Sequence, residues 1–371
     1  MADIEASDTP SSHATTTGMT GGGFYDANSA TQWNAIEAVL PILDDAITSL
    51  QLRDPDCVRL ADFGCSEGRN SIAVMSRALR SLLPKTDLSV QTIHSDLPTN
   101  DFSKLIANLR PDGQSVYDSN RVYSSVVGGS MYDQLLPERS LHLATTFNAI
   151  GFLSRRPVNR LPGYIFPNGP STVRANGYVS DDDRSAFALQ ARRDVECYLE
   201  VRARELVPGG KLLVQVFGST DQARTCDGIY DLLNDAVLSF VDKDEISRES
   251  YDRYYQPVYM RHLDELTAPL RDPQSTVSSL YSLDSTRSYE IAVPFNQQYA
   301  SDGDLDRFAK DYVNFFRAFT EAVLSSALPE TPERADLVDR IYRQAEVILK
   351  ANPKSYPFRY MAIAMLLTRK D

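Results

Sequence analysis

Histidine, cysteine and tryptophan are scarce in this chain. Four histidines occur in 371 residues (His13, His94, His142, His262), and no two are spaced to put a metal-ligand pair on one helix face. The four cysteines, Cys57, Cys65, Cys197 and Cys226, form no Cys-x-x-Cys pair, which argues against a zinc knuckle or a dithiol redox site. No metal is expected. No apolar run approaches the roughly 18 residues of a membrane-spanning helix. The longest, Met361 to Leu367, is closed by Thr368, Arg369 and Lys370. Basic residues number 38 against 50 acidic, a formal charge of -12, so the chain has no broad electrostatic footprint for DNA or RNA. There is neither a basic leader before an apolar stretch nor an Asn-x-Ser/Thr acceptor, and a cytoplasmic location is the expectation. Neither nucleic acid nor membrane is expected as a partner.

With 42% hydrophobic residues, the chain has enough apolar surface for a large core. Residues 1–18, rich in Ser, Thr, Ala and Asp, read as a disordered leader. The strip Met19-Thr20-Gly21-Gly22-Gly23-Phe24-Tyr25 follows, three glycines ending in aromatics. Helical spacing runs from Asn34 to Leu52, with Pro41 at a kink or restart. Short apolar runs at Cys57–Phe63, Leu88–Ile93, Val122–Val127, Leu141–Phe147 and Lys211–Phe217 read as strands, and Asn70–Leu83 reads as a helix between two of them. Phe187, Ala191, Val195, Tyr198, Leu199, Arg202 and Leu206 share one face of a further helix. Residues 221–285 and 302–350 read as helical, and Tyr289–Phe295 and Arg359–Leu367 as the last strands. The stripe Phe308, Tyr312, Phe315, Phe316, Phe319 and Val323 reads as core packing. Strands alternating with helix-length segments imply an α/β fold with a mostly parallel, doubly wound sheet.

Three signals carry chemistry. Asp62-Phe63-Gly64-Cys65-Ser66-Glu67-Gly68 is a glycine turn between strand and helix, where a ligand can approach the backbone and unpaired N–H groups. It is not Gly-x-Gly-x-x-Gly; a dinucleotide turn and a purely structural turn remain alternatives. Asp96, at the next strand end, is placed for ribose hydroxyls, with a helix N-cap as the competing role. Glu205 to Val214 reads as a helix closed by Pro208-Gly209-Gly210 before an apolar strand, a familiar late element of methyltransferases. In this order the three favour a nucleoside-type cofactor at the strand ends.

Several blocks resemble the SABATH family of S-adenosylmethionine-dependent carboxyl methyltransferases. Met19-Thr20-Gly21-Gly22 is similar to Met-Asn-Gly-Gly, and Tyr25, Asn28, Ser29 and Gln32 match Tyr-Ala-x-Asn-Ser-x-x-Gln. Ala61 to Ser66 resembles Ala-Asp-Leu-Gly-Cys-Ser. Asp96-Leu97-Pro98-Thr99-Asn100-Asp101-Phe102 departs from Asp-Leu-Pro-Gly-Asn-Asp-Phe at one place. Gly128 to Tyr132 resembles Pro-Gly-Ser-Phe-Tyr, and Ser140-Leu141-His142 and Leu153-Ser154 match as well. The resemblance implies a Rossmann-like core with a mainly α-helical cap and a homodimer. It implies S-adenosylmethionine held by Tyr25, Ser29, Asp62, Asp96, Leu97, Ser130 and Met131, with Gly64 and Cys65 at its methionine part. Thr146 and Phe147 fall at the family's Ser-Ser pair. On the substrate side Gln32 matches the family's carboxylate-binding Gln. Phe152 replaces its Trp, and Asn148 replaces a nearby Tyr. Trp33, the only tryptophan, adjoins Gln32 and is a further candidate donor, with packing as its competing role. Asn148, Arg155 and Arg156 favour a polar or doubly acidic substrate, although neighbouring arginines are commonly a solvated pair.

The expected organisation is a leader (1–18), an N-terminal flap over the active site hinged at Gly21–Gly23 (19–33), and a core in three parts (34–154, 184–220 and 286–371, the last with a helical insertion). Segments 155–183 and 221–285 are expected to form the cap. The expected activity is methylation of a small carboxylic acid, aromatic or unsaturated and dicarboxylic acids included, in secondary metabolism. A carboxylic acid is already ionised at neutral pH, so no general base is expected. Methylation of a heterocycle nitrogen, a nicotinamide-dependent oxidoreductase and a non-catalytic cofactor sensor are the alternatives.

Overall fold

The computed structural model describes residues 19–52, 55–109, 115–172, 176–225 and 227–371. The expected leader and two of the scarce residues, His13 and Cys226, lie outside them. Short helices open the chain: α1 (Phe24–Asn28), α2 (Ala30–Glu37) and α3 (Leu40–Thr48). Pro41 sits in the first turn of α3, where its missing N–H costs nothing, so it restarts the helix. Then come β1 (Cys57–Phe63), α4 (Arg69–Leu82), β2 (Ser89–Asp96), α5 (Phe102–Asn108), β3 (Val122–Gly128), β4 (Leu141–Phe147), α6 (Asp181–Glu205) and β5 (Leu206–Phe217). Four helices follow: α7 (Asp227–Val241), α8 (Arg248–Arg253), α9 (Leu263–Arg271) and α10 (Thr276–Leu280). The chain closes with β6 (Tyr281–Ile291), α11 (Pro294–Asp302), α12 (Leu305–Ala327), α13 (Arg334–Ala351) and β7 (Tyr360–Arg369).

The strands form one sheet in the order β3-β2-β1-β4-β5-β7-β6. β1 to β5 pair parallel with one another, and β7 runs antiparallel between β5 and β6. This is the mostly parallel, doubly wound α/β sheet expected of a Rossmann-like methyltransferase. Side chains alternate between its two faces. Ala61, Phe63, Leu212, Val214, Ile363 and Met365 join the cluster under α6, whereas Val58, Leu60, Leu213, Ala364 and Leu366 join the cluster under α2 to α4. A third, aromatic-rich cluster ties α7, α8, α12 and α13 to segment 153–166.

The later strands differ from the sequence expectation. β6 begins at Tyr281, inside the stretch read as helical, and ends at Ile291; Pro294 opens α11 where the strand was expected to continue. The cause is exposure: residues 282–288 of β6 are all solvent-facing and mostly polar, so no apolar run marks the strand.

One buried ion pair shapes the loop after β3. The Arg202 and Glu205 side chains on α6 are fully buried, Nε to Oε2 at 2.8 Å. Arg202 donates to the carbonyls of Met131 (3.0 Å) and Asp133 (2.8 Å), and its guanidinium lies 3.9 Å from the Phe63 ring centre. Glu205 Oε1 accepts from the N–H groups of Leu135 (2.6 Å) and Leu136 (2.9 Å). Removing one partner strands a buried charge. Arg202→Ala is expected to lower unfolding free energy by about 3–5 kcal/mol in urea titrations, with Arg202→Met/Glu205→Leu recovering a large part.

Candidate active site

β1 leads outward to β2 and β3, and β4 leads the other way to β5. The carboxyl ends of β1 and β4 therefore flank a crevice at the reversal of strand order. Three turns meet there, and Asp96 ties them together. Its Oδ2 accepts from the N–H of Ser66 in the turn after β1 (2.6 Å), and its Oδ1 from that of Leu97 (2.8 Å). Its carbonyl accepts from Gly129 in the turn after β3 (2.9 Å). Gly64 has φ 95°, and a Cβ there would lie 2.3 Å from the Ala149 Cβ, so only glycine lets the turns after β1 and β4 close. Burial raises the Asp96 carboxyl above the ordinary aspartate range, partly offset by the Ser66 and Leu97 N–H groups. Asp62 is buried two residues before Gly64 and takes a 2.7 Å bond from the Thr145 hydroxyl. Burial raises it to about 6; hydrogen bonds from Ser71 and Thr145 pull against this, and the Asp96 charge adds to it.

The N-terminal strip is docked onto this turn. Glu67, 1% exposed, accepts from the N–H groups of Gly23 (2.5 Å) and Asp26 (3.1 Å), satisfying free donors in the first turn of α1. Arg69 donates to the Asp26 carbonyl, and the Thr20 N–H to the Ala318 carbonyl on α12. Tyr25 faces the crevice; burial, then the nearby Asp26, Asp96 and Glu67 charges, raise its phenol. Ser29 is buried and donates to the Asp26 carbonyl.

The crevice opens into a cavity of about 1100 Å³, roomy enough for a nucleoside cofactor beside a second small molecule. Gly64, Asp96, Leu97, Ser130, Met131 and Phe147 face it. A tight chamber of about 30 Å³ adjoins it and shares the walls Met19, Tyr25, Asn148 and Phe152. Gln32 faces this chamber, 5% exposed, with Oε1 lacking a partner among the described residues. Asn148 closes β4 with φ 64°. Its Oδ1 accepts from Gln215 Nε2 (3.3 Å), the Phe217 N–H (3.2 Å) and the Tyr360 hydroxyl (3.0 Å). That network fixes which amide atom is oxygen. Its Nδ2 has no hydrogen-bond partner among the described residues, and the residue lines both spaces.

Other expected site residues stand behind these walls. Asp62 and Ser29 do not line the cavity. Cys65 is buried, and its N–H donates to the Ser95 carbonyl. The Thr146 hydroxyl donates to the Phe63 carbonyl. Trp33 packs on the cluster under α2 to α4 and lines neither space, the packing role weighed for it. Sequence reasoning passed over Ser66, whose buried Oγ has no partner among the described residues and whose residue lines the cavity, although it closes the Ala-Asp-Phe-Gly-Cys-Ser block. It also passed over Tyr230, Met260 and Tyr360 in the aromatic chamber, and read Phe315 and Phe319 there as core.

Fold and crevice together fit a methyltransferase that binds a nucleoside cofactor at the strand ends. The sequence profile of the SAM dependent carboxyl methyltransferases matches residues 12–370, and the chain belongs to that family, the SABATH enzymes. Jasmonate O-methyltransferase of Arabidopsis thaliana is 25% identical, with 93% of this chain and 95% of that protein covered. Salicylate carboxymethyltransferase of Clarkia breweri is 24% identical, with 95% and 97% covered. The solved structure of loganic acid methyltransferase with SAH superposes with a TM-score of 0.76 at 22% identity, covering 95% of this chain and 99% of that one, and so shares the fold. The protein is a carboxyl methyltransferase that uses S-adenosylmethionine.

Asp96→Ala should weaken S-adenosylhomocysteine binding at least about tenfold by calorimetry, since each unpaired buried group costs roughly 1–3 kcal/mol. Unchanged affinity would remove Asp96 from the site.

Proposed function

We propose that the acceptor is a small carboxylic acid, aromatic or unsaturated, lying where the cavity meets the aromatic chamber, with its carboxylate held by Asn148 and Gln32. Asn148 carries this reading: its oxygen is saturated by three donors, so it offers the acceptor an N–H end. That amide supplies a donor where Phe152 has replaced the family's indole. A carboxylate would take its hydrogen bond from Gln32 Nε2, and the orphaned Ser66 Oγ and the room in the cavity fit an arrangement that ligands complete.

Asp96 would hold the cofactor ribose, Ser130 and Met131 its adenine, and Gly64 and Tyr25 its methionine part, with Cys65 packed behind Gly64. Leu97, Thr146 and Phe147 would support these contacts, with Ser29 and Asp62 behind them. Bound there, S-adenosylmethionine would supply an electrophilic methyl for the acceptor oxygen, leaving an ester and the thioether product, and the protein would have no proton to move. The protein's part is to orient the carboxylate and exclude water. Orientation accounts for on the order of 7–11 kcal/mol in favourable intramolecular models. Anion and cation disappear together in the transition state, so weak amide donors suit the site better than a tight ion pair. Neither His94 nor His142 lines the cavity. His94 Nδ1 pairs with the Ser71 hydroxyl and His142 Nδ1 accepts from the Arg59 N–H. Burial lowers both to about 4, with the Arg59 charge a lesser cause at His142. That favours a pre-ionised carboxylate over a heterocycle N–H that needs a base.

Segments 155–183 and 221–280 would cap the site and residues 19–33 its N-terminal side. The family likeness supports a homodimer, and the unpaired thiols of Cys57, Cys65 and Cys197 fit a reducing cytoplasm. Methyl-labelled cofactor with a panel of acids tests the chemistry: base-labile label marks an ester, base-stable label a nitrogen acceptor, and no label a binding protein. Asn148→Asp keeps the oxygen that serves Gln215, Phe217 and Tyr360 but turns the donor end into an anion. Acceptor KM should rise at least about tenfold while S-adenosylhomocysteine affinity holds within about twofold; equal losses in both would contradict the assignment.

A further inference from the structure

Positive charge gathers in the lining of the large cavity of this acidic protein. Arg155, Arg156, Arg160 and Arg253 all line it, the first three from the segment after β4 and the last from α8. Among the described residues only Glu249 pairs with them, at 2.6 Å from Arg253 and 3.7 Å from Arg160. Arg155 is held by a neutral group, its Nε donating to Gln190 Oε1 at 2.7 Å. The half-buried Arg156 guanidinium lies 4.0 Å from the Tyr255 ring centre and donates to the Arg253 carbonyl. The cavity's own carboxylates, Asp96 and Asp133, belong to the strand-end turns. Four guanidinium groups facing one carboxylate leave a surplus of cation in a chain whose formal charge is -12.

We infer that the acceptor is a dianion: one carboxylate is methylated beside Asn148 and Gln32, and a second acidic group is bound by the arginine cluster, Arg155 and Arg156 foremost. This rests on the carboxylate-methylating reading above. The division of labour follows from the chemistry. The reacting carboxylate loses its charge in the transition state, so gripping it tightly slows the step. A distal anion keeps its charge throughout, so it can be bound firmly and used to aim the reacting end. Planar guanidinium forks suit a carboxylate or phosphate oxygen pair, and a cationic mouth draws an anion towards an otherwise repelling surface. The product is a half-ester that keeps its second charge.

The test compares α,ω-dicarboxylates of graded length with their own mono-amides, using methyl-labelled S-adenosylmethionine. At the best length the wild type should favour the diacid at least about tenfold in kcat/KM, mainly through KM, and added salt should shrink the preference. Arg155→Gln/Arg156→Gln should bring the ratio of diacid to mono-amide towards one with S-adenosylhomocysteine affinity retained, and Arg155→Lys/Arg156→Lys should restore part of it. A ratio near one in the wild type at every length, or a ratio the Gln variant leaves intact, overturns the inference while the carboxylate reading stands. A loss confined to S-adenosylhomocysteine affinity overturns it too, assigning the arginines to the cofactor's own carboxylate. No label on any acid fells both readings.

Discussion

A half-buried carboxylate at the end of β2, beside the reversal of strand order, holds the site together. Asp96 joins the turns after β1, β2 and β3 through two N–H groups accepted on its side chain and one on its carbonyl. Taking a carboxylate out of water is unfavourable unless donors replace the lost hydration, and its raised pKa records what those donors leave uncompensated. A ligand hydroxyl donating to the same oxygens would relieve part of that cost. The strand-end turns are thus shaped by a group with room for a further donor from a ligand in the cavity. Around it, Glu67 docks the N-terminal strip and the Arg202–Glu205 pair sets the loop that carries Ser130 and Met131.

The reaction asks for placement more than for proton chemistry. The histidines nearest the sheet are buried, hydrogen-bonded and lowered to about 4. The walls beyond the strand ends are aromatic, with Phe152 edge-on to Phe217 at 6.2 Å and the Tyr132 hydroxyl donating to the Phe152 carbonyl at 2.6 Å. Such walls exclude water and strengthen the few polar contacts inside them.

What could be read from the sequence follows from burial and contiguity. β1, β4 and β5 are covered on both faces, so their apolar runs stand out. β6 is an edge strand with a solvent-facing run from 282 to 288, and its residues carry no strand signature. The stretch read as helical from 221 to 285 holds four helices among its described residues and ends in the start of that strand. In the site, residues clustered along the chain were legible: Gly64 to Ser66, Asp96-Leu97, Ser130-Met131. The aromatic chamber was not, because Tyr230, Met260, Phe319 and Tyr360 converge from four separate segments, and α12's stripe serves core and chamber at once. Asn148 was visible only as a departure from the family. The donors on its oxygen, from β5 and β7, emerge only once the sheet is assembled.

The central claim is that the protein aims an already ionised acceptor and moves no proton. It is tested most directly by the pH dependence of kcat/KM for the acid at saturating cofactor. The account predicts a rise that follows the acceptor's own ionisation, shifts when an acid of different pKa is used, and then stays level through the range where histidine ordinarily titrates. A rise near the histidine range that keeps its position whichever acid is supplied would reveal an enzyme base and contradict it.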